Sequence, residues 1–180
     1  MKISILSLAA GLLLAALPAQ DATVTVLHGI PGLGAPVDVF ANGSQLFSFD
    51  YGDQQGPLTL PPGNYALEVR QSGNTLLSLN AALAADTDYS VIANLDANGA
   101  PQLNAFGNPL DNITLPASRL YVRHTAEAPS VDIILEQNGV TVATIAGVTN
   151  GMEAQADVAP GIYSVKLNLA GTSTTAFGPV

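Results

Sequence analysis

Beyond its first twenty residues the chain alternates apolar and polar positions with a period of two. Thr23-Val24-Thr25-Val26-Leu27 alternates and then turns apolar, and Val37-Asp38-Val39-Phe40 is short and β-branched. Leu46-Phe47-Ser48-Phe49 follows Asn42-Gly43, a pair that favours a tight hairpin turn. Tyr65, Leu67 and Val69 fall on one face of a run whose other face carries Glu68 and Arg70. Thr75 to Leu83 and Tyr89 to Asn94 continue the pattern. Further on, Leu120 to Arg123, Val131 to Leu135, Val140 to Ile145 and Ile162 to Leu169 repeat it. Runs this short, bounded by Gly, Pro, Asn and Asp, predict strands and turns. The best helix formers, Ala81-Ala82-Leu83-Ala84-Ala85, are too few to nucleate a helix and read as a strand end before a turn at Asp86-Thr87-Asp88. The fold class expected is all-β, with immunoglobulin-like sandwiches and no fixed strand order.

The pattern occurs twice. Val26, His28, Val37-Asp38-Val39, Asn42-Gly43, Pro62-Gly63 and Tyr65 return as Val122, His124, Val131-Asp132-Ile133, Asn138-Gly139, Pro160-Gly161 and Tyr163. The offset drifts only from 94 to 98 residues, a domain-sized period. Two modules are expected, 22–107 and 118–180, joined by a semi-rigid linker at 108–117 that holds Pro109, Pro116 and an Asn/Asp turn cluster. The copies end differently. After Tyr163 nothing matches the run Tyr89 to Ala93, so the second module is expected to be truncated, the chain reading as a fragment, with an apolar sheet edge left open.

Composition sets the address. Met1-Lys2, the apolar stretch Ile3 to Leu17 and Leu17-Pro18-Ala19 have the form of a signal peptide over residues 1–19. The stretch falls short of the roughly 20 apolar residues that span a bilayer. Losing it would remove Lys2 and take the net charge from −9 to −10. So acidic a surface argues against nucleic acid and anionic lipid as partners, because both need a basic footprint. The chain has no cysteine, so neither a disulfide framework nor a thiolate nucleophile is available. A bacterial secreted, extracellular, periplasmic or cell-surface location follows.

Candidate chemistry is sparse. The two histidines, His28 and His124, hold equivalent positions, and Asp38 and Asp132 each follow within about ten residues. One His and one Asp fall short of the three or four ligands a zinc site needs. The reading adopted is structural: His at a strand end, bonded to loop backbone or to Asp, pinning the Pro-containing loop. Glu68 corresponds to Lys166, a sign reversal that marks a solvated face, and none of the four Glu belongs to a repeated carboxylate pair such as a glycosidase needs. Gly63 and Gly161 follow proline and are expected to supply the positive φ of a type II turn. The Asp-rich turns at 50–53, 86–88 and 96–99 lack EF-hand spacing. No Gly-x-Ser-x-Gly, His-Glu-x-x-His or phosphate-loop motif occurs. Aromatics number five Tyr and five Phe with no Trp, a thin supply for a sugar-stacking platform, and most Tyr read as core residues.

The ordered set Val24-Thr25-Val26-Leu27-His28, Ala35-Pro36-Val37-Asp38-Val39-Phe40-Ala41-Asn42-Gly43 and Leu60-Pro61-Pro62-Gly63-Asn64-Tyr65 resembles the DUF4397 domain. So does the later set from Leu120 to Ile133 with Ala159-Pro160-Gly161-Ile162-Tyr163, which departs by two extra residues before Asn138-Gly139 and by its missing end. The resemblance implies a secreted β-domain of surface and exported proteins, with no catalytic residues to carry over. The expectation is a non-enzymatic protein, without a cofactor or metal, serving structure, adhesion or protein contact. A carbohydrate- or other ligand-binding module is the alternative. Partners would be protein or glycan at the cell surface.

Overall fold

A computed structural model of the chain describes residues 20–33, 35–109 and 112–180. The expected signal peptide at 1–19 lies outside the described residues. Among those described there is strand, turn and irregular chain but no helix, and hence none long and apolar enough to cross a membrane. The protein is all-β.

The strands up to Gly107 make two four-stranded sheets. In one, β1 (Ala22–His28) lies between β4 (Gln54–Leu60) and β7 (Asp88–Leu95), with β8 (Pro101–Gly107) outside β7. The β1–β7 pair is parallel and the other pairs are antiparallel. In the second sheet β2 (Val37–Ala41) and β5 (Gly63–Gln71) are central, flanked by β3 (Ser44–Phe49) and β6 (Asn74–Leu83), all antiparallel. Alternation does here what the sequence predicts: Ala22, Val24, Val26 and His28 are buried while the residues between them are half-exposed. Val24, Val26, Val39, Val69, Val91, Ala93 and Leu103 belong to one continuous core between the sheets. Burying each Val or Leu side chain contributes about 1.5–3 kcal/mol.

The strands from Ser118 on build around a second, smaller core of Val131, Ile133, Leu135 and Val148, with Leu120, Val122, Val165 and Leu167 packed on it. One sheet has four strands, in the order β11 (Val140–Val148), β10 (Val131–Gln137), β13 (Ser164–Leu169), β14 (Thr175–Phe177). Among the described residues the facing sheet has two strands, β12 (Glu153–Val158) and β9 (Ser118–Arg123).

Local chemistry recurs between the halves. Asn42-Gly43 and Asn138-Gly139 all take positive φ, between 50° and 79°, which a type I′ hairpin turn requires and which these two residue types tolerate. The Tyr65 hydroxyl donates to the Pro61 carbonyl at 2.8 Å, and the Tyr163 hydroxyl to that of Ala159 at 2.7 Å. The expected type II turns do not form. Gly63 opens β5 at φ 157°, far from the value near +80° such a turn needs, and Gly161 does not adopt a positive φ. Ile162, expected to begin a strand, precedes β13 and is 92% exposed.

The halves are fastened to each other. Arg123 donates to Asn108 Oδ1, ion-pairs with Glu153 and lies 4.9 Å over the Phe106 ring. Asn150 donates to the carbonyls of Leu95 and Ala126, and Gln102 donates to Asn150. The Tyr121 hydroxyl donates to the Pro109 carbonyl, so the segment expected to be a hinge is tied down at its start.

Candidate interaction site

The four residues singled out by sequence do not converge. His28, 2% exposed, ends β1 with Nδ1 accepting the Ile30 N–H at 3.3 Å. That assigns the proton of the neutral ring to Nε2, which is buried without a hydrogen-bond partner. Its ring sits 5.3 Å from Phe49 and 6.1 Å from Tyr51. Burial pushes the imidazole pKa below its ordinary 6.5, and the charges of Asp50 and Asp53 pull against that shift. Asp38 instead accepts from the Ser48 hydroxyl at 2.5 Å and Gln45 Nε2 at 3.0 Å on the outer face of its sheet.

His124, 8% exposed, has Nε2 2.9 Å from the Pro129 carbonyl, in the loop that follows β9. Asp132 spans two turns: Oδ1 accepts the Gly147 N–H and Oδ2 the Gly171 N–H, both at 2.8 Å. Both glycines have φ near 70°. Among the described residues, no bond joins either histidine to its aspartate; both histidines bond loop backbone instead. Each Asp lies within its own sheet's hydrogen-bond network, on the face opposite the buried side chains of its strand. Nor do three or more His, Asp or Glu gather among the described residues as a metal set. The turn at Asp96 is held by its own backbone: the N–H groups of Ala100 and Asn98 lower the Asp96 pKa below the usual carboxylate range.

Sequence reasoning missed what lies beside His124. A cavity of about 350 Å³ opens between β9 and the β13–β14 edge. Its walls include Val122, His124, Ala126, Ile133, Leu167 and Phe177, mostly carbon. Phe177 stands at its mouth, 57% exposed. β9 pairs with β12 on one side and with no strand among the described residues on the other. His124 exchanges backbone bonds with Met152 and Gly151 on the β12 side. By the alternation of an antiparallel ladder, the backbone groups of Tyr121 and Arg123 face the unpaired side. The outer face of β9 is engaged: Arg119 forms a bidentate pair with Asp157, which lowers the Asp157 pKa, and Arg123 reaches Asn108 and Glu153. The sequence signal for this opening is the missing counterpart of Tyr89 to Ala93.

Residues 22–134 match the model of a domain of unknown function, DUF4397, a span running past β8 and β9 to the middle of β10. No curated protein matches the chain.

Proposed function

The chain belongs to the DUF4397 family, and we propose that it is a non-catalytic contact protein, exported to the cell surface or beyond, whose C-terminal half repeats the pattern of its N-terminal half. One observation carries this reading: the two-stranded sheet bounds an apolar cavity and presents a backbone edge with no strand beside it among the described residues. Such an edge offers main-chain hydrogen bonds, and a carbon-walled groove offers pockets for alternate side chains. The wall chemistry supports a binding role over turnover. Among the described residues no carboxylate lines the cavity, and the ring nitrogen Nε2 of His124 is engaged with Pro129.

The test is selection of a displayed peptide library against the purified chain, alongside a panel of soluble polysaccharides. Ala176→Trp, on the exposed strand β14 at the cavity wall, serves as the blocked variant. Enrichment of extended peptides that fail to bind the blocked variant is the expected result. Binding of polysaccharide alone, unaffected by Ala176→Trp, would refute the reading.

A further inference from the structure

We infer that the groove receives one further β-strand from a partner polypeptide, running parallel to β9 and carrying the side-chain pattern of β7. This rests on the contact reading and on the correspondence of the two halves. It adds the direction, register and chemistry of the occupant.

The N-terminal half shows the filled form of the same site. There β7 lies parallel to β1, with Val24 opposite Tyr89, Val26 opposite Val91 and His28 opposite Ala93. The Thr23 N–H donates to the Thr87 carbonyl at 3.0 Å and the Gly29 N–H to that of Ala93 at 2.7 Å, fixing both ends of the strand. Val91 and Ala93 enter the same core as Val39 and Val69. Shifting by the repeat offset puts Leu120, Val122 and His124 at the β1 positions and Ile133 and Leu167 at those of Val39 and Val69. Val122, His124, Ile133 and Leu167 all line the cavity. The space beside β9 therefore has the walls against which β7 packs in the other half.

That template defines the donor. Three alternate side chains point inward: an aromatic opposite Leu120, a β-branched residue opposite Val122, and a small residue opposite His124, where the ring leaves little room. Its other face follows that of β7, with the pattern of Asp88, Ser90, Ile92 and Asn94. A second copy does not supply this strand. A twofold axis at the β9 edge would pair two β9 strands antiparallel, whereas the β1–β7 pair is parallel. Every described strand of the chain is already paired within its own sheet.

The experiment titrates the full chain with a synthetic peptide of residues 87–95, Thr-Asp-Tyr-Ser-Val-Ile-Ala-Asn-Leu, spin-labelled at its N-terminus. Expected are amide shifts at Tyr121, Arg123 and Thr125, relaxation enhancement near Ser118, and at least tenfold weaker binding with Val91→Asp in the peptide or Ala176→Trp in the chain. A second form guards against an insoluble peptide. A copy of residues 84–107 fused after Val180 through a Gly/Ser linker should raise Tm and protect the Tyr121 and Arg123 amides from hydrogen exchange. An antiparallel label, indifference to Val91→Asp, or a fusion without protection would overturn the inference. So would a chain that dimerises through β9 with these amides already protected. If library peptides bind through the groove in another direction or pattern, the contact reading stands and this inference falls. If nothing extended binds there, both fall.

Discussion

Asp132→Ala is expected to destabilise the C-terminal half, and the loss can be worked from two bonds. Oδ1 and Oδ2 each accept a backbone N–H at 2.8 Å, from Gly147 beside the irregular pairing of β11 and from Gly171 in the β13–β14 turn. Hydrogen bonds to a charged group contribute about 1.5–3 kcal/mol each when buried, and less at a half-exposed site such as this. We expect about 2 kcal/mol in all, or roughly 4–8 °C in Tm for a chain of this size. Its counterpart Asp38 accepts only from the side chains of Ser48 and Gln45, which turn to water when it is removed. Asp38→Ala should therefore cost under about 1 kcal/mol. Asp132→Asn sharpens the comparison. An amide presents one oxygen and one NH₂, so one of the two glycine N–H groups would face a donor. Asparagine should recover no more than half of the loss. Urea unfolding followed by circular dichroism measures all three variants. Equal losses at Asp38 and Asp132, or an Asn variant as stable as the parent, would refute the bridging role.

Three further outcomes follow from the geometry. His28 titrates near 6.5 when unfolded and lower when folded, so below about pH 6.5 the unfolded chain binds a proton the folded one does not. Stability should be flat above that pH and fall below it, and His28→Gln should flatten the slope in urea midpoints taken across that range. Leu135→Ala, at a fully buried position, should cost about 2–5 kcal/mol by the same assay. Arg123→Ala strands the half-buried carboxylate of Glu153 and frees Asn108, so it should lower stability by about 1–3 kcal/mol. Small-angle scattering should also show a wider spread of orientations between the halves; an unchanged profile would count against the fastening.

Alternation made the buried strands legible because a face in a core tolerates only apolar side chains. β1, β2, β5 and β10 were readable for that reason. β4 was not, since Gly56-Pro57 interrupts it at an edge where a missing N–H is harmless. β8 opens on Pro101 and carries Gln102 and Asn104, and β12 alternates with alanine, so neither has a strong apolar face. The parallel β1–β7 pairing is a long-range contact without local signature. Spacing brought His28 toward Asp38 in one dimension, but the inward face of β1 and the outward face of β2 carry them apart. The cavity was half legible: no run like Tyr89 to Ala93 recurs between Tyr163 and Val180, which pointed to an open edge, while its walls come from strands far apart in sequence.

The clasp of Arg123, Asn108, Asn150 and Leu95 bears on mechanics. Arg123 belongs to β9 itself, and Asn108 follows directly on β8. A pull applied at the groove is thus delivered as shear across the N-terminal sheets, bypassing the intervening segment. The molecule would meet tension as one lever with a fixed aim, and its first yielding point would be the clasp.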